Sequence, residues 1–257
     1  MSITFETPDT LWRLIRFFRT PKGLLLPILA LLILLAVPFQ GLDQVATGLI
    51  IATTTAAYLD VAIVVVRDEK WLFPSGAILT GLIIAMVLRP QEPVYVPFAA
   101  AVIAIASKHL LRTRWSNIFN PAALALVATS LLFASGQSWW GALPDLSPLS
   151  VLLLLVLGIF MADHINKLPL ALVFLGAYFG LFTLASFVVG PARVADVFRT
   201  PDLEASLFFV FFMVDDPPTC PIRYADQVVF GGIVALASVA IFLQAGGAVY
   251  YLPLGLL

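Results

Sequence analysis

Cysteine is almost missing from this chain: Cys220 stands alone among 257 residues. A single thiol forms no internal disulfide and cannot build a self-sufficient four-cysteine iron–sulfur or zinc site. Charge is scarce as well. Asp, Glu, Lys and Arg make up 11% of the chain, against roughly 25% in an ordinary soluble domain. With a net charge of −1, no field of one sign recruits nucleic acid or an acidic partner. Walker, dinucleotide, zinc-box and nucleophile-elbow signatures are all missing, so neither catalytic residues nor a metal site is expected. What remains is apolar, 61% of the residues, with a mean hydropathy of +1.03.

That much Leu, Val, Ile, Ala and Phe cannot be hidden in a water-soluble fold of this length. The expected fold class is all-α: a polytopic membrane protein of about ten transmembrane helices. Apolar runs fall near 24–39, 45–66, 72–88, 94–107, 120–134, 149–163, 168–189, 203–214, 227–243 and 248–257. A full crossing takes about 20 residues, so several runs are short. The chain divides into a basic amphipathic N-terminal segment, 1–23, and one transmembrane domain, 24–257. Arg13, Arg16, Arg19 and Lys22 before the first run mimic a signal peptide, but no small-x-small cleavage site follows. Trp12–Arg19 is read as a segment lying on an anionic inner leaflet.

With the N-terminus in the cytoplasm, eleven Lys and Arg fall on the cytoplasmic side and three (Arg89, Arg193 and Arg199) on the other. Trp139 and Trp140, in the outer loop, are expected in the interfacial aromatic belt. Ten spans divide into two five-helix halves of inverted sense. The third run of each half, Gly76–Leu88 and Leu203–Val214, is short and bounded by Pro74 or by Pro217 and Pro218. Paired short, interrupted segments point to a midplane site. Gly176 and Gly180 are assigned to close helix packing.

The helix-breaking stretches Asn117-Ile-Phe-Asn-Pro-Ala122 and Phe211-Phe-Met-Val-Asp-Asp-Pro-Pro218 are the most informative part of the chain. Non-helical backbone at membrane depth must be buried in protein or line a cavity. Asp60 lies two turns inside an apolar run, where an ionised carboxylate costs about 2.5–3.5 kcal/mol. It is either a proton or cation site or a hydrogen-bonder to a neighbouring helix. Asp215 and Asp216 could hold a cation, engage Arg223 and Lys108, or form a solvated helix end. His109 and His164 end two spans on one side, and nothing in the sequence shows that they face each other.

Ser75-Gly-Ala-Ile-Leu-Thr-Gly-Leu82, the turn Arg89-Pro-Gln-Glu-Pro93, Lys108 and Asn117–Ala122 resemble the core of one family. Phe211-Phe-Met-Val-Asp-Asp-Pro217, followed by Phe230-Gly-Gly232, is similar to a second block of that family. It comprises RnfD of the Rnf electron-transport complex and NqrB of the sodium-translocating NADH:quinone reductase. The resemblance implies a ten-helix, flavin-carrying component of a bacterial inner-membrane complex, working with other membrane and redox subunits and coupled to sodium or proton movement. It also implies an FMN joined to a Thr of the outer loop between spans five and six. Here that loop, 135–148, contains no Thr, and in Ser75-Gly-Ala-Ile78 an Ile occupies the acceptor position. No covalent FMN is expected.

The expected cofactor is a non-covalent flavin, FMN or riboflavin, since its ring calls for a flat apolar slot with a few polar groups at the edge. Its candidate contacts are Thr80, Asn117, Phe119, Asn120, Phe212 and Asp216; Asp60 and Asp215 are candidates for ion coupling. Asn117 and Asn120 could equally be helix caps, with Pro121 at the first helical position. Two other functions fit the same chain: a transporter or channel for a small solute or cation, and a redox-inactive accessory or assembly subunit.

Overall fold

The computed structural model describes residues 16–68, 72–114, 116–245 and 251–257. Most of the amphipathic N-terminal segment lies outside the described residues. Ten helices carry the described chain: α1 Pro21–Gln40, α2 Leu42–Asp68, α3 Ser75–Val87, α4 Tyr95–Leu110, α5 Pro121–Phe133, α6 Leu149–His164, α7 Leu168–Val189, α8 Asp202–Phe209, α9 Tyr224–Ala245 and α10 Tyr251–Gly255. Helix α8 continues through Val210–Val214 as a wider π turn. Short helical turns, Pro191–Val194 among them, fill the loops. No strand forms among the described residues; the β-type contacts are two isolated bridges, Leu88–Gln137 and Arg112–Asn117.

Local chemistry sets the boundaries. Thr20 caps α1 by accepting from the Gly23 N–H at 3.1 Å, and Pro21 opens the helix, where its missing N–H costs nothing. Gly41, at φ 83, closes α1 and donates its N–H to Val37 O; that left-handed residue lets α2 begin one position later. Four helices are long and apolar enough to cross a membrane: Pro21–Gln40, Leu42–Arg67, Leu168–Val189 and Tyr224–Gln244. By contrast α3 has 13 residues, about 20 Å of rise against a hydrocarbon core of about 30 Å.

Polar contacts sort the helix ends onto two faces. On one, Gln40 reaches Asp145, Gln44 meets Gln91, and Glu92 accepts the Gly136 N–H. On the other lie the starts of α1, α3 and α5 and the ends of α4, α6 and α8, gathered around one cavity. Between the faces Leu29, Leu32, Ile84, Met86, Phe174, Phe182, Phe208 and Phe209 pack at full burial. Large apolar side chains such as Leu34, Ile50, Leu131, Phe187 and Val188 remain exposed around the bundle, as a lipid-facing belt would be.

Two expectations are corrected. Trp139 and Trp140 are not belt residues: they are 1% and 2% exposed. The 135–148 loop folds inward, Trp140 Nε1 donates to Ala85 O at 2.7 Å, and the Trp139 ring meets Phe208 and Phe209 edge-on. The reason is the shortness of α3 and α8, whose missing turns leave space that the indoles fill. Gly176 and Gly180 have nothing near where a side chain would start, so they do not mediate packing within the chain. Close approach occurs instead at Gly81, where a Cβ would sit 2.7 Å from Ala52 O of α2, and at Gly231, where it would sit 2.8 Å from Leu170 O of α7.

Candidate functional site: a cavity between two helix breaks

The two polar breaks are hydrogen-bonded to each other. After α4 the chain reverses tightly, with Ile118 N–H donating to Leu111 O at 3.0 Å. It then meets the second break, where Asn117 N–H donates to Pro218 O at 2.9 Å. Asn120, 5% exposed, does two jobs at once. Its Oδ1 accepts from Ala123 N–H and so caps α5; its Nδ2 donates to Met213 O, each at 3.0 Å. Met213 lies in the π turn, where Asp215 N–H bonds back to Val210 O at 3.1 Å. Such turns loosen the regular backbone ladder and occur mostly as single turns at functional positions.

A cavity of about 530 Å³ opens beside this junction, within the usual range for small-molecule sites. Leu25 of α1, Leu79 and Ile83 of α3, Met161 of α6 and Phe211 and Phe212 of the π turn give it apolar walls. Thr20, Lys22, Thr80, Lys108, Asn117, Asn120, Asp215 and Asp216 supply polar positions.

Of the residues singled out in the sequence, Thr80, Asn117, Asn120, Phe212, Asp215 and Asp216 come together on this wall. Thr80 Oγ1 donates to Gly76 O at 2.9 Å, so its hydroxyl oxygen is left to accept. Asn120 is a cap and a cross-link, with both ends of its amide engaged. Phe119 is corrected: it is half-buried and is not on the cavity wall. Backbone at Asn120 is extended (φ −65, ψ 120), and neighbouring side chains along an extended stretch point to opposite sides. With Asn120 turned inward, Phe119 turns away.

Asp215 and Asp216 lie past the end of the π turn and differ sharply. Asp215 is 1% exposed, and neither carboxylate oxygen has a hydrogen-bond partner. Burial pushes its carboxyl well above the ordinary range, with the Lys167 ammonium pulling the other way. Asp216 faces the cavity and accepts from the Thr219 hydroxyl at 3.1 Å. Burial raises it to about 6, against the Thr219 hydroxyl and the Lys22 and Lys108 ammoniums. Cys220 is buried, and burial pushes its thiol up to about 12, so it is not poised as a thiolate ligand. No group of three or more metal-ligating side chains forms among the described residues.

Asp60 lies behind the cavity. Its Oδ1 accepts from Lys108 Nζ at 2.9 Å and contacts His109 Nε2 at 2.8 Å. The carboxylate thus bonds to the neighbouring helix α4, and Lys108, on the cavity wall, is its link to the site. His164 is elsewhere, stacked on Phe160. Sequence reasoning missed Thr20, Lys22, Met161, Ile165 and Phe211 as wall residues. An acid two turns inside an apolar run calls for a cation from an adjacent helix, and that signal could have paired Asp60 with Lys108.

A sequence model of the NQR2, RnfD, RnfE family matches residues 22–150, half of the chain. It takes in the first break and leaves the second outside. Over 131 residues the chain is 31% identical to the D component of the proton-translocating ferredoxin:NAD(+) oxidoreductase complex of Clostridium ljungdahlii, a stretch covering 50% of this chain and 38% of that one. The chain thus matches well under two thirds of that relative's length.

Proposed function

This chain belongs to the NQR2, RnfD, RnfE family, and on that premise we propose that it is the membrane subunit of an Rnf-type electron-transport complex. In this reading it carries electrons on a flavin held without a covalent bond in the cavity between the two breaks. The observation that supports the reading is the junction itself: Asn117 to Pro218 and Asn120 to Met213 tie two helix interruptions around one apolar, polar-rimmed space. Phe211 and Phe212 offer ring faces. Asn117, whose side chain makes no hydrogen bond among the described residues, offers an amide to a ring edge.

The family premise also supports a finer membrane reading: ten membrane segments in two inverted halves, with the cavity face towards the cytoplasm. Lys22, Lys108 and Lys167 lie at helix ends of that face, and Arg89 lies on the opposite one, in keeping with the positive-inside bias. Coupled cation movement would run through Asp60 or Asp215, and Asp60 would have to release Lys108 and His109 to take part.

The test is direct. Protein purified from its native membrane should be yellow with flavin absorbance, and acid precipitation should leave the flavin in the supernatant. A colourless, folded preparation that binds no added flavin would overturn the redox reading and favour a transporter or an accessory subunit. Flavin that stays with the precipitated chain would overturn the non-covalent assignment.

A further inference from the structure

Two opposite charges lie buried behind the second break without meeting. Lys167, at the start of α7, is 5% exposed, and Asp215 is 1% exposed. The Lys167 ammonium donates to Pro221 O. Neither Asp215 oxygen has a hydrogen-bond partner, and no ion pair joins the two side chains among the described residues. A bare carboxylate is among the costliest groups to bury, and a neutral carboxyl is far less so. With the ammonium engaged at a carbonyl, Asp215 is stable in this place only while it carries a proton.

The loop after the second break shows what the ammonium holds. Asn117 N–H fixes Pro218 O at 2.9 Å. Gln227 Nε2 donates to Ile222 O at 3.1 Å and to Asn166 O at 3.0 Å, clamping the far end of the loop to the turn between α6 and α7. Between these two fixed points runs a short arc, 219–221. The Thr219 and Cys220 N–H groups turn back onto Asp216 O at 3.0 and 3.1 Å, and Lys167 draws the Pro221 carbonyl inward. Cys220, in the middle of the arc, is 7% exposed.

The charged and titratable groups around Asp215 are few. Burial raises its carboxyl, and Lys167 is the cation that pulls it down. Cys220 is close to both, and Asp216, next in the chain, is acted on by Lys22 and Lys108 from the cavity side. A lysine suits a movable role: it is a point charge with three N–H donors on a flexible stem.

We propose that Asp215 is a buried proton-binding site and that Lys167 is its latch. With a proton on Asp215 the ammonium holds Pro221 O and the 219–221 arc is shut. With the proton gone the ammonium moves to the carboxylate, Pro221 O is released and the arc opens. Because Asp215 is on the cavity wall, the latch links a proton there to the loop that carries Pro217 and Pro218 on the same wall. The inference goes beyond the electron-transport reading and holds whatever fills the cavity.

Cys220, the single cysteine of the chain, reports the state of the arc without a background of other thiols. The whole chain, purified and held in neutral-lipid nanodiscs, is treated with methyl methanethiosulfonate between about pH 5 and 9, a range lying between ordinary carboxyl and lysine values. Modification is followed by intact mass. Each rate is divided by that of Asp215→Asn, a neutral side chain of the same shape as the protonated acid. The division cancels the direct effect of pH on the thiol and the titration of Asp216, which both chains share. The ratio should stand near one at the acid end and rise about tenfold or more at the alkaline end, since the ionised fraction of a carboxyl grows tenfold per pH unit below its pKa. Lys167→Met, with no N–H for either position, should be modified fast at every pH, and adding Asp215→Asn to it should change nothing. A ratio that stays flat across the range, or an Asp215-dependent rise that survives in Lys167→Met, would overturn the latch. If Lys167→Met does not fold, the comparison with Asp215→Asn decides by itself.

Discussion

Asn120→Ala perturbs a side chain that ties the two breaks together. Losing its Oδ1 removes the α5 cap, worth about 0.5–2 kcal/mol. Losing its Nδ2 strips the Met213 carbonyl of a buried donor, at about 1–3 kcal/mol. That carbonyl keeps a second, weaker partner in the Asp215 N–H, so the lower half of the range applies. The expected total is about 1.5–4 kcal/mol, or an apparent unfolding shift of about 3–16 °C at the 2–4 °C per kcal/mol usual for chains near this size. Asn120→Asp separates the two roles, because a carboxylate still caps α5 but cannot donate to Met213. The measurement is thermal unfolding in nanodiscs, followed by tryptophan fluorescence with flavin release recorded in parallel. Alanine should lose stability and flavin together; aspartate should regain part of the stability but not the flavin. An alanine variant that melts within 1 °C of the parent would refute the cross-link as a stabilising element, and an aspartate variant with full flavin occupancy would refute its role in shaping the cavity.

Gly158→Ala places a methyl where the Phe211 ring now lies, 2.2 Å from its carbons; overpacking of about 1–3 kcal/mol should push the ring into the cavity and lower flavin occupancy. Asp60→Asn should abolish ion dependence of electron transfer if the carboxylate carries the ion. If ion dependence survives intact and only stability falls, by about 1–3 kcal/mol for a lost charge-assisted bond, Asp60 is a tether. For Asp216, the unfolded carboxyl releases its proton near 3.8 and the folded one near 6, so the folded state holds more protons between these values. Stability should therefore fall as pH rises from about 4 to 6 and level off above. The loss should be about 1–3 kcal/mol, discounted because the side chain faces the open cavity. Asp216→Asn should flatten that part of the profile, and an unchanged slope would show that another group produces it.

The breaks were legible because their chemistry is local. Asn-Pro and Asp-Pro-Pro cannot continue a helix wherever they occur, and apolar runs announce helices by length alone. Convergence was only suggested by the pairing of short segments; the bonds that produce it, Asn117 to Pro218 and Asn120 to Met213, join residues about a hundred positions apart. Sequence separation likewise hid the tie from Asp60 to Lys108 of α4, 48 positions on. The tryptophans misled for a related reason. An indole in a loop suits a membrane interface, and nothing near Trp139 in the sequence reveals that α3 and α8 stop short beneath it. Phe119 misled because a turn of backbone, rather than residue type, decides which of two adjacent side chains faces inward.

The inward-folded tryptophan loop makes this molecule a cup with a solid base. No residue of that loop reaches the cavity wall; Trp140 bonds to Ala85 and Gly141 packs on Met86 at the opposite end of α3. Anything exchanged with the cup, whether a small molecule or a docking redox protein, arrives at the lysine rim. In closed vesicles of uniform orientation, a membrane-impermeant quencher should therefore reach any chromophore held in the cavity from one compartment and be blind to it from the other.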